Sequence, residues 1–399
     1  MSASVYLTSR PYSQFVSHQW LTSVLKAING WEQRAALYTW PRVSLQGEYQ
    51  VFSRSELAWI RRKLFKYQDA LWGIPIWPDL TTVSSEAASG QTTINVGDTT
   101  NRHFYAGRDL ILISPSAYGT YEVKTITTVN ATSLVCSSNL SSTWAAGSFV
   151  LPVYDCRISE ENIIQKRSKQ RDSFLIQGME AYESARSFTY TLPSSGASTY
   201  LTYDVFDYIP RQASKHTYTK PYDLIQYLGI GVKDTDYSRS EIEFEFTFVR
   251  EKRASIWDIL DFFDSKRGRY NKFWVPSWNR DIVVSTGFAS TDYSIEIENI
   301  EYRTHWLPED VIGRYVHIRF PDGTTTQKKI TDASSSSPYT ITFDEAIGTT
   351  VTIADINSVF ISFLMLARFG TDKLDLKYSE GAHSATIDIP FVALVEEDV

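Results

Sequence analysis

The chain of 399 residues has only two cysteines, Cys136 and Cys156. Two thiols make no disulfide framework and no metal-ligand spacing, and they are expected to be reduced, as in a protein folded in the cytosol. No run of about 18 apolar residues occurs, so no bilayer-spanning helix is expected. Residues Met1 to Gly30 lack a basic start followed by an apolar core, and a secretory signal is not expected. The acceptor patterns Asn130-Ala131-Thr132 and Asn139-Leu140-Ser141 therefore carry no implication. Charge of one sign is also missing. The 39 basic and 46 acidic residues give a formal charge of −7 with both signs interspersed, and no basic stripe could track phosphates. The short cluster Lys166-Arg167-Ser168-Lys169-Gln170-Arg171 reads as a solvated strand or turn.

Catalytic and metal-binding motifs are missing too. The histidines His18, His103, His216, His305, His317 and His383 stand alone in the sequence, with no H-E-x-x-H and no pair at helical spacing. His317, inside a predicted strand, reads as structural. There is no G-x-S-x-G elbow, no Walker loop and no G-x-G-x-x-G, and Gly229-Ile230-Gly231 is too short for one. Glu241, Glu243 and Glu245 alternate with Ile242, Phe244 and Phe246, which is the pattern of a half-buried strand with a wet face, although paired carboxylates also suit a glycosidase cleft. Asp258, Asp261 and Asp264 read as the wet face of a helix opposite Trp257, Leu260 and Phe263. No catalytic residue, cofactor site or metal site is expected.

Aromatic residues are abundant, with 24 Tyr, 21 Phe and 11 Trp, and their positions repeat at a period of about 200 residues. One block runs Ser53 to Ile60, then Leu64-Phe65 and Ile74-Pro75-Ile76-Trp77. The other runs Ala254 to Leu260, then Phe262-Phe263 and Trp274-Val275-Pro276-Ser277-Trp278. Each is a helix pattern with a Trp, an apolar pair five residues on, and a closing Pro-x-Trp. Ser53 or Ser55 and Ser255 are expected N-caps, and proline ends each segment. The matched residues Trp59, Trp77, Trp257, Trp278, Pro75 and Pro276 are the expected repeated core, with Trp72 and Trp274 nearby.

Alternating Thr, Ile and Val strands follow each helix in the same order, with Gly107-Arg108 matching Gly313-Arg314. Upstream, Ser44 to Phe52 matches Ser240 to Val249. Downstream, Asp155 to Ile158 and Phe174 to Ile176 are matched to Leu374 to Leu376 and Ala385 to Ile389. The expected fold is mainly β with a few flanking helices. Residues 1–79 with 151–187 form one unit, and 237–281 with 364–399 form the other. Inserted β-modules occupy 80–150 and 282–363, and 188–236 connects the units through turn-rich segments. A short helix is expected around Trp20 to Leu25.

The block Phe262 to Trp278, with its helix, basic-glycine turn and Pro-x-Trp, resembles tail-tip and baseplate proteins of tailed bacteriophages of the siphophage type. Gly107 and Gly313 before apolar strands, and the ending Asp372 to Glu396, are similar to such proteins as well. The resemblance implies two tail-tube-like β-sandwich or split-barrel units, in a ring of distal-tail or hub type made in the bacterial cytoplasm and built into the virion. It implies a non-enzymatic structural role joining tube, hub, tape-measure and fibre proteins, with no membrane anchor and no specific nucleic-acid binding. Two tube-like copies per chain suit a trimer with pseudo-sixfold symmetry, whereas one copy suits a hexamer. A receptor- or carbohydrate-binding role would instead expose module aromatics such as Tyr118, Tyr121 or Tyr339. A glycan hydrolase would gather carboxylates in a cleft.

Overall fold

The computed structural model describes residues 5–27, 31–51, 53–115, 119–160, 162, 164–166, 172–181, 191–211, 215–220, 223–227, 230–234, 240–307, 312–378 and 384–394. The chain is mainly β with few helices, and sheet packing builds its core.

The chain opens with β1 (Val5–Tyr6), β2 (Pro11–Gln19), the hairpin β3 (Thr22–Lys26) and β4 (Glu32–Ala36), then β5 (Arg42–Val51). Helix α1 (Arg54–Tyr67) and β6 (Leu71–Pro75) come next, followed by a one-turn 3-10 helix at Trp77–Asp79. A small β-module holds β7 (Thr81–Thr82), β8 (Thr93–Asn95), β9 (Asp109–Ile113), β10 (Tyr121–Asn130) and β11 (Ser133–Cys136). Strand β12 (Phe149–Ile158) leads back to β13 (Ile164–Lys166) and β14 (Asp172–Glu180). The connection carries β15 (Thr199–Tyr200) and β16 (Tyr203–Asp204). The second half then repeats the plan with β17 (Lys215–Thr219), the hairpin β18 (Asp223–Tyr227) and β19 (Ile230–Asp234), and β20 (Glu241–Arg250). Helix α2 (Arg253–Lys266) and β21 (Phe273–Pro276) precede β22 (Ser294–Glu296), the short α3 (Tyr302–His305), β23 (Tyr315–Arg319), β24 (Thr325–Ala333) and β25 (Thr340–Phe343). Strands β26 (Phe360–Phe369), β27 (Lys373–Tyr378) and β28 (Ala385–Ala393) close the chain.

Strand register ties the halves together residue by residue. Strand β6 pairs with β12, and β21 with β26, so that Pro75 opposite Val153 matches Pro276 opposite Leu364. From there β12 continues onto β14 as β26 does onto β28. Strand β14 lies on β5 as β28 lies on β20, which places Val43 at the position of Ile242. The modules repeat just as closely. Gly107 and Gly313 both take φ near +85° (85° and 83°). Ile126 N–H donates to the Arg108 carbonyl, and Ile330 N–H to that of Arg314, each at 2.7 Å. Both ladders then bulge at the same step, between Ile126 and Thr128 and between Ile330 and Asp332.

Where side chains differ, they differ in compensating pairs. The ring of Tyr6 lies where a Cβ on Gly73 would overlap it. In the second half that strand position is Trp274, and the residue bridging to it is the smaller Val205. Ala87 bridges Trp144, while Phe288 bridges Val351. The second exchange nearly conserves volume, whereas the first moves the large ring from one strand to its neighbour. Gly73→Ala is accordingly expected to cost about 1–3 kcal/mol. Adding Tyr6→Ala should return most of the lost urea midpoint; a double variant no more stable than Gly73→Ala alone would show that the ring is not the obstacle.

One apolar core runs through both halves, from Val5 to Ala393. Separate cores fill the modules, Val83 to Val150 and Ile282 to Phe363. The positions 150/151 and 363/364 fall inside single strands, β12 and β26. Strand β26, not Leu374–Leu376, is therefore the counterpart of β12, and Leu374–Leu376 belongs to β27, the counterpart of β13. The expected helix at Trp20 to Leu25 is instead the turn into β3 and that strand's first residues, because Thr22–Lys26 pairs along its full length with Glu32–Ala36. The expected caps also differ. Ser53 occupies the N-cap of α1, but its hydroxyl meets that of Ser55 at 2.6 Å and makes no cap bond. Ser255 lies inside α2, whose N-cap is Lys252.

Candidate functional site

Two features set this molecule apart from an ordinary sandwich: a buried polar junction between its halves and the two outer edges of its main sheet. The sheet order follows from the pairings β17–β20, β20–β28, β28–β27, β27–β2, β2–β5, β5–β14 and β14–β13. Each half contributes four strands, and the β27–β2 ladder from Gln14 opposite Tyr378 to Gln19 opposite Lys373 welds the halves. At the two ends, among the described residues, β17 has a strand partner only in β20, and β13 only in β14.

The weld is reinforced from behind. His18 on β2 directs Nδ1 at Asp264 of α2, 2.9 Å away, and Nε2 at His103 Nε2, 3.1 Å away. His103 Nδ1 lies 2.5 Å from Asp79 Oδ2, and its backbone N–H donates to the same oxygen. Arg253 donates to Asp79 Oδ1 at 2.5 Å, and Trp20 Nε1 to Asp264 Oδ1 at 2.8 Å. The Asp79 carboxylate accepts from His103 and Arg253, which sets Nδ1–H on His103, and Asp264 accepts from Trp20. Between the two Nε2 atoms one must carry hydrogen and the other a lone pair. The two carboxylates are thus met by a guanidinium, two imidazoles and an indole N–H, so neither is buried without a partner. His18, His103, Asp79 and Asp264 are all buried.

Burial works against the Asp79 carboxylate, but the His103 and Arg253 charges prevail and hold it below its ordinary range. Burial pushes His103 down, against the pull of Asp79. Burial, with Asp264 and Asp258 beside it, raises Asp261 to about 6. The network draws on β2, the 3-10 helix, the first module and α2, so it clamps three parts of the chain at one point. With the two Nε2 atoms turned on each other there is no gap for a metal, and no group of metal-ligating side chains occurs among the described residues.

The expected site residues are placed as follows. Pro75 and Pro276 are buried at equivalent ends of β6 and β21. The tryptophans are not equivalent. Both helices have 14 residues, so Trp59 stands at the position of Asp258, and Trp257 at that of Ala58. Trp257 is buried, with His103 4.9 Å away, whereas Trp59 is half-buried under Lys63. Trp77 packs with Ile111 and Leu151 in a small cluster. Trp278, in the left-handed region at φ 54°, edges His317. Asp264 is not on the wet face expected for it, although Asp258 is exposed.

Glu241, Glu243 and Glu245 line the face of β20 opposite its buried aromatics. His317 is buried, 3.3 Å from Asp207. Both cysteines are free and buried, and burial pushes Cys136 up to about 11. Tyr121 is exposed and Tyr339 half-buried against the second module core, and they form no shared platform. Tyr118, His383, Gly229 and most of the basic cluster from Arg167 to Arg171 lie outside the described residues. The His18–His103 pair was invisible in sequence, since its members are separated by 85 residues and carry no motif.

No family model matches the chain, and no curated protein matches it. No described helix is long and apolar enough to cross a membrane.

Proposed function

We propose that this chain is a structural component of a phage tail tip or baseplate, a ring protein of distal-tail or hub type that joins the tail tube to tip and fibre proteins. The observation that carries this reading is the tandem sheet. Two equivalent four-strand sets are fused edge to edge, and among the described residues the combined sheet still ends in β17 on one side and β13 on the other. Unpaired strand edges invite further strands. A head-to-tail contact between unlike edges closes into a ring when its rotation divides a full turn. Three chains would bring six similar units around one axis, a form suited to a joint between six-fold and three-fold structures. The modules, with their own cores, stand apart from the main sheet as places for fibre or tape-measure contacts.

The reading is tested by native mass spectrometry of the purified protein, alone and with the tail-tube protein of the same particle. A trimer is expected. A hexamer would keep the ring and remove the symmetry-matching role, and a chain that stays monomeric in both samples would overturn the proposal.

A further inference from the structure

The weld inside the chain supplies a template for a contact outside it. At the weld, His18 is the β2 residue opposite Val43 of β5, and it meets Asp264 of α2. In the second half the equivalent strand is β17, and the residue opposite Ile242, the counterpart of Val43, is Tyr218. The counterpart of Asp264 in the first half is the twelfth residue of α1, which is Phe65. Phe65 is 95% exposed and Tyr218 66%, whereas His18 is 3% exposed. The positions that hold a buried histidine–aspartate hydrogen bond inside the chain thus carry two solvent-exposed rings at its free ends.

The helices agree with this picture. In α2, Ile256, Trp257, Ile259, Leu260, Phe262 and Phe263 are buried, in part beneath the first half and the connecting segment. In α1 only Ile60 is buried, and Trp59 and Leu64 are partly covered. An amphipathic helix that owes its stability to packing is left half-packed in the isolated chain.

We propose that adjacent copies of this chain meet by repeating the internal weld, with β17 of one copy laid against β13 of the next and Tyr218 of the first seated on Phe65 of the second. Carrying the β2–β27 register over sets His216 opposite the neighbour's Ile164, as Val16 lies opposite Leu376. The occupant of both edges is a second copy of the chain. The contact deepens the ring reading and rests on it, but it specifies a geometry that a ring as such does not require. It also differs in chemistry from the weld it copies: the internal joint is polar and permanently closed, while the outer joint is aromatic and costs no buried charge when open.

The test uses the full-length chain with Phe65→Cys and Tyr218→Cys, singly and together, and a short bismaleimide. The native cysteines are buried, so each new thiol reacts against a quiet background. Mixing the two single variants should give covalent dimers, and the double variant should give covalent species up to the full ring, with no product from either single variant alone. In parallel, Phe65→Glu should weaken assembly at least tenfold by native mass, and pairing it with Tyr218→Lys should restore most of the loss. Both positions are exposed, so circular dichroism of all variants should match the parent. Rings of native mass that show no 65-to-218 product, or that link 65 to 65, would overturn this contact while leaving the ring reading intact. A parent chain that forms no ring would overturn both.

Discussion

Asp79→Ala is expected to lower stability by about 3–5 kcal/mol at neutral pH, the range found when one member of a buried ion pair is removed. Asp79 is fully buried and accepts from His103 twice and from Arg253 once. Its loss leaves the Arg253 guanidinium and the His103 N–H groups without their buried acceptor. The effect should reach beyond the first module, because the same chain of bonds ends on α2 through His18 and Asp264. The pH dependence has a definite sign. The folded-state pKa of Asp79 lies below its unfolded value, so its contribution is complete above about pH 4 and is lost as pH falls through the folded value. His103, held below its ordinary range, adds a loss of stability as pH falls below about 6.5, where the unfolded chain takes up a proton. Thermal unfolding from pH 8 to pH 3 should show the gap between parent and variant widest at neutral pH and closing below about pH 4. A gap that stayed constant across this range would mean that Asp79 acts through packing and not through charge.

Phe206→Ala should be comparably severe, at about 3–5 kcal/mol. Phe206 is fully buried in the connecting segment, and the rings of Tyr208, Phe248, Phe262, Phe273, Phe369 and Phe391 lie between 4.8 and 6.1 Å from it. Its backbone N–H donates to the Trp274 carbonyl, as that of Leu7 donates to Gly73. The connecting segment therefore does in the second half what the N-terminal strand does in the first. Phe206→Leu, which borrows the residue found at Leu7, should cost less than half as much. Denaturant midpoints of the two variants decide the matter. Equal losses would indicate that ring contacts, and not filled volume, set the stability of the cluster.

The sequence revealed the parts of this molecule that depend on local pattern. Both long helices, the glycine-arginine turns of the modules and the alternating strands could be read from spacing alone, and so could the period of the repeat. Matching by residue type went astray where register decides. Trp59 and Trp257 share a letter but sit one position out of phase on their helices, and Leu374–Leu376 resembles Asp155–Ile158 although β26 occupies that place. At Trp20 to Leu25 the apolar spacing suits a helix turn, but pairing with Glu32–Ala36 prevailed. Phe206 lay in a stretch marked by turn residues, which gives no hint of a core position. The four-membered histidine–aspartate chain joins residues from four separate segments, and no local pattern can announce such a meeting.

Strands β12 and β26 have a consequence for how force would travel. Phe149 to Leu151 pair with the first module's β9, and the same strand runs unbroken to pair with β6 and β14 in the main sheet. Strand β26 does the same for the second module through β23, β21 and β28. A pull on either module along its strand would load a row of crosswise hydrogen bonds in parallel and would meet no slack tether. A tug on either module would therefore load the same strand that the main sheet is built on.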